Sequence, residues 1–162
     1  MLADLNLTKD RLKYGDCSMF KFTYPANIKP DEGGFFLVTF PDIPFAATDG
    51  KSLKEALAEA EDCLEEAIAV CIADDLAIPE ASPIKKGQYA IPLSAQMSAK
   101  AALYIAVREE GISKSELARR LGVDEKEVRR MISPSHKTKL PRIEQALGLL
   151  GRRLIVSLKK AA

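Results

Sequence analysis

The sequence predicts an α+β protein. A small antiparallel sheet with one long helix comes first, and a helical domain with a helix-turn-helix follows, ending in a short strand. Three observations carry this. Between residues 19 and 93 the patterns run strand, strand, strand, helix, strand, which folds as a sheet covered on one face by a helix. Between residues 113 and 133 two short capped helices flank a glycine turn. Charge also divides the chain: residues 19–93 hold 6 Lys/Arg against 13 Asp/Glu, and residues 94–162 hold 15 against 7. The overall net charge of +1 hides that split. Such asymmetry implies two units with different partners, an acidic one (19–93) and a basic one (94–162). Residues 1–18 stand apart as an extension of uncertain status.

In the acidic unit, Phe20, Phe22 and Tyr24 alternate with Lys21 and Thr23, the period of a strand. Asp31-Glu32-Gly33-Gly34 is turn chemistry. Phe35 to Phe40 is a second strand, interrupted by Pro41-Asp42-Ile43-Pro44, and a third is expected near Phe45–Thr48. Ser52, with Glu55 three residues on, forms a capping box. Leu53, Leu57, Ala60, Leu64, Ile68 and Cys71 then recur at helical spacing and define a core face. Glu55, Glu59, Glu61, Asp62, Glu65, Glu66 and Asp74 occupy other positions of the helix. Pro79, Pro83, Gly87 and Pro92 mark a boundary region, within which Tyr89-Ala90-Ile91 closes the sheet.

The basic unit opens with a helix from Met97 to Glu110, ended by Gly111. Ser113 with Glu116 and Asp124 with Glu127 are two more capping boxes, on either side of Gly122-Val123. Leu117, Ala118, Leu121, Gly122, Val123, Val128 and Met131 fall where a helix-turn-helix needs small or buried residues. Laid out at about 100° per residue, the second helix turns Val128, Met131 and Ile132 inward. Lys126, Arg130 and Ser133 lie opposite, with Arg129 adjacent, placed to enter a major groove. Lys114, Ser115, Lys137 and Lys139 are expected on the phosphate backbone. Leu140 to Leu150 gives a last helix, and residues 152–158 read as a strand. A lone strand after helices needs a partner, so Leu154, Ile155 and Val156 are expected to pair with the same strand of a second chain.

The chemistry excluded is as informative. The apolar fraction of 47% and charged fraction of 29% are ordinary globular values. No apolar run reaches the roughly 20 residues of a membrane span. The cysteines (Cys17, Cys63, Cys71) are scattered with no CxxC, which points to a reduced, cytoplasmic protein without structural zinc. A single histidine, His136, excludes two-histidine mechanisms. No phosphate loop, nucleophile elbow or metal-ligating cluster occurs, so neither cofactor, metal nor enzymatic activity is expected.

Several stretches together resemble the HicB-type antitoxins of toxin–antitoxin systems. They are FKFTYPA, FFLVTFPDIP, SLKEALAEAEDCLEEAI and IPEASPI in the acidic half. In the basic half they are SAKAALYIAVREEGISKSELARRLGV and RIEQALGLLGRRLIV. The resemblance spans Met19 to Leu158. It implies a partial ribonuclease H-like fold for the first unit, without that enzyme's catalytic set. It also implies inhibition of a small mRNA-cleaving HicA-type toxin and repression of the operon's own promoter by the second unit. Toxin contacts are expected from the acidic face and from Phe40, Asp42, Ile43, Phe45 and Thr48. Phe45 stands where the family pattern has a glycine, while Thr48 and Gly50 keep to it. The alternative from the residues alone is a one-component transcriptional regulator whose first unit senses a small ligand.

Overall fold

A computed structural model describes residues 19–158; the 1–18 extension lies outside the described residues. Four strands form one antiparallel sheet: β1 (Thr23–Pro30), β2 (Phe36–Thr39), β3 (Ala47–Gly50) and β4 (Tyr89–Pro92). Their spatial order is β3-β2-β1-β4. Helix α1 (Leu53–Ala73) covers one face. It starts where the capping box requires, with Ser52 Oγ accepting from the Glu55 amide at 3.2 Å and Glu55 accepting from the Lys51 amide at 2.9 Å. Ala56, Ala60, Leu64, Ile68 and Cys71 are buried against Tyr24, Ala26, Val38 and Ile91 of the sheet.

The first strand begins later than its aromatic alternation predicts, and it contains Pro25 and Pro30. Register supplies the reason. Residues 23–26 pair with β4, and residues 27–30 pair with β2. Pro25 therefore lies in a stretch with a paired neighbour on one side, where a missing amide is tolerated. The third strand also lies two residues beyond its expected place. Phe40 to Ala46 is drawn into consecutive turns by bonds from the Ile43 amide to Phe40 O and from the Ala46 amide to Ile43 O. β3 ends at Gly50, where a Cβ would stand 2.4 Å from the Ala56 amide nitrogen. Only glycine allows α1 to cross the sheet edge this closely.

Four helices follow: α2 (Ala95–Glu109), α3 (Lys114–Leu121), α4 (Glu125–Ile132) and α5 (Leu140–Leu149). Helix α2 starts two residues before its apolar stripe predicts, because Ser94 caps it by accepting from the Met97 amide. Buried residues of both halves form one continuous core. At the junction, the Tyr104 hydroxyl donates to Leu76 O at 2.6 Å, and Arg108 reaches Asp75 at 2.9 Å while lying 5.5 Å over the Tyr104 ring. Asp75 holds a left-handed φ of 55°, which turns the chain out of α1.

The chain after α5 carries the segment expected to pair with a second chain. Gly151, at φ 67°, ends the helix, with the Arg152 amide returning to Leu147 O. Residues 152–158 then run with no ladder in this single chain. Leu154 is half-buried against the core, and Ile155 and Val156 are exposed. A strand exists only through its pairing, and among the described residues, 152–158 pair with no other segment, the free edges at β3 and β4 included.

Candidate functional site

Helices α3 and α4 are built by two side-chain caps. Ser113 Oγ accepts from the Glu116 amide at 3.0 Å, and Asp124 Oδ1 accepts from the Glu127 amide at 2.7 Å. Between them Gly122 takes a left-handed φ of 67°, and the Val123 amide returns to Ala118 O. Leu117, Ala118, Val128, Met131 and Ile132 are buried, so the inward face is the one the spacing predicts.

The outward face sorts its basic residues into two kinds. Arg129 is held by Glu125, which also accepts from the Ser115 hydroxyl. These two donors, Ser115 first, hold the Glu125 carboxyl below its ordinary range. Glu116 takes Arg119 and Arg120, whose hydrogen bonds pull its carboxyl down to about 2. Arg142 pairs with Glu127. By contrast Lys114, Lys126, Arg130, Lys137 and Lys139 are exposed and form no ion pair among the described residues. Ser133 is half-buried, its hydroxyl 3.1 Å from that of Ser135. Lys126, Arg130, Lys137 and Lys139 thus remain as free cations on or just after α4. Ser115 and Arg129 are engaged within the chain.

Sequence reasoning missed Gln96, Lys100, Thr138 and Arg142. Gln96 Nε2 donates to Thr138 O at 2.9 Å, and the Thr138 hydroxyl donates to Arg130 O at 3.1 Å. Lys100 is buried beneath α4. Its signal was present: it falls three residues after Met97 and one before Ala101, on the apolar stripe itself.

The acidic half presents a different surface. Glu55, Glu59, Asp62 and Glu66 lie exposed along one side of α1. In the loop after β2, Phe40 and Ile43 are core residues, at 2% and 0% exposure. Asp42 is half-buried and accepts from the Ser82 amide at 2.9 Å, tying this loop to the segment before β4. Phe45, at 59% exposure, is the large apolar side chain this loop offers outward, with Thr48 half-buried nearby in sequence. On the sheet face away from α1, Lys29, Leu37 and Asp49 are neighbours across three strands, all exposed. Two concavities, of about 590 and 260 Å³, are lined by residues of the helical half, with Asp75 the one exception. Among the described residues no three His, Cys, Asp or Glu side chains cluster to hold a metal ion, and no helix is long and apolar enough to cross a membrane.

Comparison with known proteins follows the same lines. Residues 23–102 match the family model described as the HicB-like antitoxin of bacterial toxin–antitoxin systems. The chain is similar to Antitoxin HicB 2 of Photorhabdus laumondii, 40% identical over 131 residues, covering 81% of this chain and 92% of that protein. It is 35% identical to Antitoxin HicB of Pseudomonas fluorescens over 141 residues, 86% of this chain and 96% of the relative. Antitoxin HicB of Escherichia coli K12 is 33% identical over 131 residues, 81% of this chain and 95% of the relative.

Proposed function

The chain belongs to the HicB-like antitoxins of bacterial toxin–antitoxin systems, and we propose that it neutralises a small mRNA-cleaving HicA-type toxin through residues 19–93 and represses its own operon through residues 94–162. The observation that carries the division is the distribution of unpaired charge. Exposed carboxylates stand along α1, and free cations stand on α4 and the loop after it. A ribonuclease must offer cationic groups to RNA phosphates, and an acidic surface competes for those groups. Phe45 supplies an apolar anchor beside that electrostatic attraction. The protein acts by binding and not as an enzyme, in the cytoplasm where mRNA and operator DNA are found.

For DNA, Lys126, Arg130 and Ser133 enter the major groove with Arg129 beside them, while Lys114, Ser115, Lys137 and Lys139 meet phosphates. Ser115 and Arg129 reach DNA by exchanging the Glu125 carboxylate for a phosphate oxygen. Pairing of residues 152–158 between two chains, through Leu154, Ile155 and Val156, sets two α4 helices about one groove repeat, or 34 Å, apart. An inverted-repeat operator follows.

The test has two arms. The purified chain is expected to block RNA cleavage by its HicA-type partner, and a chain lacking residues 94–162 to keep that inhibition. Phe45→Ser is expected to weaken inhibition with stability changed by no more than about 0.5 kcal/mol. In the second arm, a salt-controlled titration is expected to show tighter binding to the upstream promoter than to scrambled DNA. Removal of residues 152–162 is expected to abolish the dimer and lower that affinity. Equal affinity for the two DNAs sinks the repressor assignment, and a folded truncation that ignores the toxin sinks the division of labour.

A further inference from the structure

Lys100 is 1% exposed, the one charged side chain buried among the described residues. Its ammonium donates to two backbone carbonyls, Ser133 O at 2.5 Å and Met131 O at 3.3 Å. Both belong to the C-terminal end of α4, where carbonyls lack intrahelical partners and carry partial negative charge. Burying a charge is costly unless hydrogen bonds satisfy it, and burial pushes the Lys100 ammonium below its ordinary pKa. A methionine would fill the space without that cost, but would leave Met131 O without this donor and Ser133 O with only the His136 amide at 3.3 Å.

Gln96 lies one turn earlier on α2, on the same side of the helix. Its amide donates to Thr138 O at 2.9 Å. The Thr138 hydroxyl donates to Arg130 O at 3.1 Å, inside α4. The segment 133–138 is therefore tied at both ends to α2, and it brackets Ser135, His136 and Lys137. Helix α4 has only eight residues, so its direction depends on what holds its two ends. Asp124 and the Glu127–Arg142 pair secure the first, and Lys100 secures the second.

We propose that Gln96 and Lys100 are positioning residues: a clamp on α2 that sets the direction of α4 and holds the 133–138 loop for DNA, without touching DNA themselves. This rests on the assignment of α4 as the DNA-reading helix. Base readout tolerates only small errors in angle and position, whereas non-specific attraction follows charge. Loss of the clamp therefore separates the two. The buried Lys100 charge makes no phosphate contact of its own, so its removal leaves the salt slope in place.

The experiment uses the full chain with Lys100→Met and Gln96→Ala. Amide hydrogen exchange over residues 131–138 reads the clamp. Salt-controlled titrations on the upstream promoter and on a scrambled duplex of equal length read its effect. Faster exchange is expected in both variants. Promoter affinity is expected to fall about tenfold for Lys100→Met, the scale of one lost base contact, and severalfold for Gln96→Ala. Scrambled-duplex affinity and salt slope should stay at the parent's values. If Lys100→Met does not fold, Gln96→Ala decides the matter, because its side chain is exposed and outside the core. Unchanged exchange, or faster exchange with the parent's promoter preference, overturns the proposal. A parent chain that binds both duplexes equally overturns the DNA assignment instead, and the exchange measurement still reads the clamp.

Discussion

The two halves of this molecule treat charge in opposite ways. No salt bridge among the described residues joins two residues of the sheet half; the one that reaches it, Arg108–Asp75, crosses the junction. The helical half contains the rest, with Glu116, Glu125 and Glu127 holding Arg119, Arg120, Arg129 and Arg142. Solvent screens exposed pairs of this kind, so their significance is not stability. Carboxylates at the starts of α3 and α4 occupy the arginines nearest them and leave Lys126, Arg130, Lys137 and Lys139 free. The helical half thereby leaves a defined set of cations available to the polyanion proposed for it. Asp75 apart, the sheet half leaves its carboxylates without ion partners among the described residues, which fits the cationic partner proposed for it.

The contrast can be broken most severely at Gly50. Its Cβ position lies against α1 backbone, which has no flexible side chain to yield. Gly50→Ala is expected to cost about 3 kcal/mol, read by urea unfolding, the upper end of overpacking effects. Near-neutral behaviour would show that the close contact of β3 and α1 does not organise the sheet half.

A second change addresses the free cations. Arg130→Ala is expected to cost roughly 1–3 kcal/mol of promoter affinity and to relax base preference at one position per half-site. Competition titration against single-base operator variants reads this. An unchanged preference would mean that exposure and lack of an ion partner do not identify the reading residue.

The third concerns pH and the sheet half. Burial, with Cys71 and Asp42 adding to it, pushes the Tyr24 hydroxyl up to about 12 from 10.0, and that hydroxyl donates to Pro79 O at 2.8 Å. A group raised in the folded state contributes stability that is complete below its unfolded value and lost as pH rises through its folded value. Stability is therefore expected to fall between pH 10 and about 12. Tyr24→Phe should cost about 1 kcal/mol at neutral pH, one hydrogen bond, and make the alkaline fall shallower. Denaturant midpoints across that range check both.

The smallest expected effect sharpens the comparison from the basic side. Lys137→Ala should leave stability within about 0.5 kcal/mol. It should weaken binding to all DNA sequences alike and reduce the salt slope by about one. Applied to Arg119, which Glu116 already holds, the same change is expected to move the slope less.

Much of this protein was legible in its sequence because the signals are local. The capping boxes at Ser52, Ser113 and Asp124 needed only their own next three residues, and each caps a helix as read. The inward set Val128, Met131 and Ile132 followed from helical period alone. The division of charge is a property of composition. What required the tertiary structure was every decision made between distant segments. Pro25 sits in a strand because β2 and β4 pair with different ends of β1. Phe40 and Ile43 are core while Phe45 of the same loop is surface, because the Asp42–Ser82 tie and the turns around Ile43 orient that loop. Lys100 is buried because the end of α4 arrives beside it from more than thirty residues away. Residues 152–158 have a strand's sequence but pair with no segment among the described residues. Periodicity and capping act over a few residues, whereas burial and pairing depend on which segment comes to lie alongside.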